Sequence, residues 1–124
     1  MNGAQIDFQQ LRIKHILYKS KVRSVLYGGV YDENFFSASG PVGTWFTTVG
    51  MPRYGLQAEM RELAIINQDL NATAINLFHL YKSGRIDQAH DGMKNVETKS
   101  DRFINILSQL ERKLKDSPLS IYSS

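Results

Sequence analysis

Apolar and polar positions alternate in steps of three and four along most of this chain, most clearly between Leu56 and Tyr81. There Leu56, Met60, Leu63, Asn67, Leu70, Ala74, Leu77 and Tyr81 form the seam of a packed central helix. The same spacing in Phe8, Leu11, His15, Tyr18, Val22 and Val25 predicts a first helix from about Asp7 to Tyr27, stopped at Gly28-Gly29. Asp7 is expected to cap it or to serve as a first-turn acid. Ile86, Ala89, Met93, Val96, Ser100, Phe103, Leu107, Leu110 and Leu114 predict one continuous last helix, entered near Asp87. Gly84 is the expected stop of the central helix. Pro118 is a late stop, leaving Leu119 to Ser124 as a tail.

Between Gly28 and Pro52 the helical period disappears. Tyr31 to Ser37 reads as a connection, with Phe35 or Phe36 covering a bundle edge. Gly40-Pro41-Val42-Gly43-Thr44-Trp45-Phe46 reads as a turn into a short helix ended by Gly50 and Pro52. Three long helices and a short one predict an all-α, up-and-down four-helix bundle. It is expected to be one domain over residues 1–124, with its core at about 7–115 and a tail at 116–124.

A chain of 124 residues can bury a core without covalent staples. The absence of cysteine removes disulfides, thiolate ligands and a cysteine nucleophile. The opening Met1-Asn2-Gly3-Ala4-Gln5 does not read as a signal peptide, and no apolar run is long enough to cross a membrane. A cytoplasmic protein with no membrane partner is the expectation. The net charge of +3 is modest. Arg12, Lys14, Lys19, Lys21 and Arg23 could form an anion-binding patch, but no aromatic platform or phosphate-binding loop accompanies them. They are read as a solvated helix face, and nucleic acid is not expected as a partner.

The polar members of the stripes change the picture. Asn67 lies in the central seam, Asn71 one turn further on, and His15 inside the first stripe. Buried amides need hydrogen-bond partners, so their presence on a packed face calls for an explanation. The run Glu62-Leu63-Ala64-Ile65-Ile66-Asn67-Gln68-Asp69-Leu70-Asn71, with His15-Ile16-Leu17-Tyr18, resembles the bacterial chemoreceptor zinc-binding (CZB) domain. That family carries His-x-x-Trp where His15 and Tyr18 stand, and Cys-x-x-Gly-x-Trp followed by a glycine where Gly40, Gly43, Trp45 and Gly50 stand. The resemblance runs from about Asp7 to Leu114, taking in Tyr54-Gly55 and Leu80 to Gly84. It implies a helical bundle of bacterial signal transduction, attached to chemoreceptors or cyclic-dinucleotide cyclases, that senses zinc or oxidants. Of the four positions that match its zinc ligands, His15, Gly40, Asn67 and Asn71, only His15 keeps a metal-binding side chain. The resemblance therefore implies a remnant site with no metal and no cofactor, and a polar cluster of His15, Asn67, Asn71, Gly40, Tyr18 and Trp45. His15, Asn67 and Asn71 are expected to approach one another. Histidines at 67 and 71 with a cysteine at 40 are expected to rebuild a zinc site, the glycine's conformation being the risk.

An enzyme is not expected: no nucleophile elbow, His-Glu-x-x-His or phosphate loop is present. Glu59 and Glu62 have surface spacing, and Asp87 and Asp91 read as helix-start acids. Phe78 and Tyr81 read as core or interface aromatics, His79 and His90 as surface histidines. The leading expectation is a non-catalytic, metal-independent sensory or regulatory bundle recognising a small ligand or a partner protein. The alternatives are a metal sensor with a relocated site, using His15 with an acid or with His79 or His90, and a structural dimerisation module. A homodimer through helix faces is expected, with the basic first helix and Ile104 and Ile106 leaving apolar surface beyond a single seam.

Overall fold

The first stripe becomes helix α1, Gly3–Leu26, in a computed structural model that describes residues 2–115. Pro118 and the tail beyond it lie outside the described residues. The helix begins earlier than its apolar period because Asn2 and Gln5 form a reciprocal capping box. Asp7 is therefore neither cap nor first-turn acid. It is buried one turn inside, where Arg53 pairs with it at 2.9 Å and the Tyr54 hydroxyl donates to it at 2.5 Å. Phe8, Leu11, His15, Tyr18, Val22 and Val25 are all buried, as the spacing requires. Gly28 then turns the chain with φ of 99°.

Phe36 anchors the connection by burying its ring against Phe78, at 4.9 Å between centroids. Helix α2, Pro41–Trp45, runs into a π turn, Phe46–Gly50, and on into helix α3, Met51–Tyr54. Gly50 and Pro52 do not end the short helix. Proline has no N–H to give, and its ring crowds the carbonyl four residues back. The widened π turn, closed by Met51 N–H on the Phe46 carbonyl, carries the helical path past that point.

Helix α4, Ala58–Lys82, starts after Gln57, so Leu56 precedes it and stands 67% exposed instead of joining the seam. Met60, Leu63, Leu70, Ala74 and Leu77 are buried as read, and Ile66 is buried beside half-exposed Asn67. Gly84, at φ 88°, lies just beyond the end of α4. The expected last helix is two: α5, Ile86–Asp91, and α6, Met93–Lys115. Gly92 divides them where a Cβ would lie 2.2 Å from Leu77 Cδ2, so the backbone passes close against α4. Asp91 consequently ends α5 rather than starting a helix.

Every described element is helical, and α6 packs along both α4 and α1. Phe8, Leu11, Leu63, Leu70, Phe103 and Leu107 fill the space between them with no exposed surface. Each such burial stabilises the fold by roughly 1.5–3 kcal/mol. Arg12 pairs with Glu111, and Lys19 and Arg23 with Glu97, so three of the five cations on α1 are tied to α6. Ile106 is buried and supplies no outer apolar surface, and Ile104 is partly buried against the core. Among the described residues no helix is long and apolar enough to cross a membrane.

Candidate functional site

The polar residues of the stripes are placed by three elements. On α1, His15 and Tyr18 are one turn apart and both point inward. On α4, Asn67 and Asn71 are likewise one turn apart, at the border between the core stripe and solvent. The third element is the loop into α2 and its π turn, which brings Phe36, Gly43, Phe46 and Thr47 against the gap between those two helices.

A cavity of about 270 Å³ results, with Tyr18, Asn67, Gln68 and Asn71 facing Phe36 and Phe46 across it. The Tyr18 hydroxyl donates to Asn71 Oδ1 at 2.6 Å. That bond uses the acceptor of Asn71 and leaves its Nδ2 hydrogens free to donate into the cavity. Asn67 makes no side-chain hydrogen bond to another described residue, so its carbonyl and its amino group are both available. Burial, and next the neighbouring Tyr31, raise the Tyr18 phenol well above its ordinary range, so it is a neutral donor at any physiological pH. The cavity thus has aromatic walls, a polar edge made of amides, and no charge on the described residues lining it.

His15 goes elsewhere. Its Nε2 meets the Ser100 hydroxyl of α6 at 2.7 Å, and its ring stacks on Phe103 at 4.3 Å. It is 1% exposed, and its Nδ1 has no partner among the described residues. Burial, and next Lys19, lower its pKa to about 4, while Glu97 opposes them, so the imidazole is neutral. Among the described residues no hydrogen bond joins His15 to Asn67 or Asn71.

Gly40 and Trp45 line a separate, more open cleft together with Gln10 and Lys14. Trp45 is buried with its indole N–H unpartnered among the described residues. At Gly40 the φ angle is −73°, which any residue adopts, so the expected conformational risk is not there. The obstacle is space. A Cβ on Gly40 would lie 2.0 Å from the Phe35 carbonyl oxygen, so no cysteine fits without moving backbone. Of the six expected cluster residues, the structure brings Tyr18, Asn67 and Asn71 onto one cavity and leaves Gly40 and Trp45 on another.

The other candidates resolve simply. Glu59 pairs with Lys113 and Glu62 with Arg102. The bond from Lys113 holds the Glu59 carboxyl below its usual range. His79 is exposed, as expected. His90 is not a free surface histidine: its Nε2–H donates to the Leu26 carbonyl, and its ring stacks on Tyr27 at 4.1 Å. Phe78 is buried and Tyr81 packs against the core. Sequence reasoning missed Ser100 as the partner of His15, and Phe46 and Thr47 as cavity walls. Ser100 alone left a signal, a small polar residue inside the apolar stripe of α6.

No protein-family model, curated protein or solved structure matches this chain.

Proposed function

We propose that this chain is a non-catalytic, metal-independent sensory or regulatory domain of bacterial signal transduction, an up-and-down four-helix bundle resembling a CZB domain that has lost its metal. It acts in the cytoplasm as a homodimer and takes a small molecule in the Tyr18–Asn67–Asn71 cavity. The observation that carries this reading is the state of Asn67 and Asn71. Both stand where the resemblance expects zinc-binding histidines, and both line a cavity of ligand size with hydrogen-bonding capacity to spare. A neutral amide oxygen is a weak donor to zinc and a good partner for an organic ligand.

The relocated-metal reading has less to rest on. Among the described residues no three His, Cys, Asp or Glu side chains come together as a ligand set. His15 is engaged by Ser100, and His90 by the Leu26 carbonyl.

The dimer reading is supported by α1. Its outward face carries Ile6, Ile13, Ile16 and Leu17 at 45–67% exposure, while its cations sit on the flanks. A twofold contact between two such helices would cover that apolar surface.

A thermal-shift screen of small polar molecules tests the sensory reading. A ligand should raise the melting temperature of the wild type and lose that effect in Asn67→Leu. If no ligand discriminates these two proteins and the chain still dimerises, the structural-module alternative replaces this one.

A further inference from the structure

The chemistry of the cavity narrows what can occupy it, on the reading that it is a ligand site. Three features act together. The walls are aromatic: Tyr18 meets Phe36 edge-on at 5.5 Å between centroids, Phe36 meets Phe35 at 5.0 Å, and Phe46 closes the far side. Aromatic faces and edges favour a flat, unsaturated guest over an aliphatic one of equal volume. The polar edge is made of carboxamides, with a free donor on Asn71 and a free donor and acceptor on Asn67. A carboxamide matches a group that presents a carbonyl beside an N–H, the pairing by which asparagine reads a nucleobase edge. Finally, no described lining residue is charged, and Lys21, which sits over the Phe35 ring at 5.6 Å, is not part of the lining. An ionised guest would lose its water and find no counter-charge.

Size sets the remaining limit. A volume of about 270 Å³ holds roughly nine waters at about 30 Å³ each. That space suits a single ring with one or two substituents.

The π turn that carries the helical path past Pro52 also places two of the lining residues. Phe46 and Thr47, its first two residues, line the cavity. A π turn forgoes the tighter hydrogen-bond register of an α-helix, and such turns occur frequently at functional sites. Here it sets Phe46 against the amide edge of α4.

We propose that the cavity binds a small, neutral, planar ring compound, its faces against the Phe36, Phe46 and Tyr18 rings and an amide or lactam edge hydrogen-bonded to Asn67 and Asn71.

Matched probes that differ in charge test this. The full chain, labelled with 15N, is titrated to millimolar concentrations with nicotinamide against nicotinate, and with uracil against orotate. The expected result is saturable amide shifts at Gly43, Phe46, Asn67 and Asn71 for the neutral member of at least one pair, with binding at least tenfold tighter than its carboxylate. Asn67→Leu should weaken that binding at least fivefold with its melting temperature kept; should this variant fail to fold, Asn67→Ala is measured instead. Equal or tighter binding of the carboxylates at the same residues overturns the neutral-ring proposal and leaves the ligand-site reading standing. Undiminished binding in the Asn67 variant overturns the assignment of the amide edge. No saturable shift at these residues with any of the four probes overturns the proposal, and the ligand-site reading then stands or falls on the wider thermal-shift screen.

Discussion

Tyr18 on α1 and Asn71 on α4 are joined by a hydrogen bond of 2.6 Å between positions 53 residues apart in sequence, and the bond forms one side of the cavity. It fixes the Asn71 amide with its oxygen toward α1 and leaves its Nδ2 without a partner among the described residues. Removing the hydroxyl by Tyr18→Phe leaves the ring in place and the Asn71 oxygen short of a donor. The expected cost is about 1 kcal/mol, or roughly 4 °C in melting temperature for a domain of this size. A double-mutant cycle with Asn71→Ala should give a coupling energy of at least about 0.5 kcal/mol, as contacting residues do. Additive losses would show that the two side chains do not interact.

His15 predicts a pH dependence of known sign. Its folded pKa, about 4, lies below its ordinary 6.5 because burial penalises the charged form. Between those values the unfolded chain binds the extra proton and the folded one does not. The stabilisation is complete above about pH 6.5 and is lost as pH falls, by about 1.4 kcal/mol per unit and about 3 kcal/mol in all. Glu59, whose carboxyl the bond from Lys113 holds below its ordinary range, acts in a more acidic window. Urea unfolding at pH 7 and pH 5.5 should therefore differ by about 1.4 kcal/mol in the wild type. The difference should shrink in His15→Gln, and an unchanged slope there would assign it to other groups.

These side chains illustrate how much could be read from the sequence. The stripes of α1 and α6 were legible because burial there follows the three-four period alone, His15 and Ser100 included. Leu56 misled because period says nothing of where a helix begins: Gln57, extended before Ala58, puts Leu56 outside α4. The partners of Asp7 lie 46 and 47 residues away, and no local pattern encodes such a pairing. Gly50 and Pro52 read as stops because their backbone restrictions are local. The π turn that carries the chain past them is a change of hydrogen-bond register, which side-chain periodicity does not record. The cavity was half legible: Asn67 and Asn71 stood out as polar residues on an apolar face, whereas Phe46 and Thr47 join them only through folding of the 31–50 segment.

Gly40 gives a stability prediction that separates space from conformation. Gly40→Ala adds one methyl where the Phe35 carbonyl oxygen stands 2.0 Å away. Backbone must shift, and a loss of about 1–3 kcal/mol or more is expected. Asn67→His with Asn71→His lies at half-buried positions on α4, where it forfeits the Tyr18–Asn71 bond of about 1 kcal/mol but forces no backbone shift, and should cost less. Melting of the two proteins gives the order directly, and a Gly40→Ala protein as stable as the wild type would mean that the 35–40 turn yields freely.

Ile13, 67% exposed on the outward face of α1, tests the dimer. Light scattering at high micromolar concentration should report twice the chain mass for the wild type and the single chain mass for Ile13→Glu. Circular dichroism should show the same helix content in both, since the side chain leaves the core untouched. A wild type that scatters as a monomer removes the homodimer from the account.

Zinc titration of untagged protein, followed by the melting temperature with and without chelator, addresses the central claim most directly. The account predicts purification without stoichiometric zinc, no saturable binding, and a melting temperature that neither chelator nor added zinc moves. Stoichiometric zinc together with a melting temperature that falls by several degrees on chelation would contradict it and would restore the metal-sensor alternative.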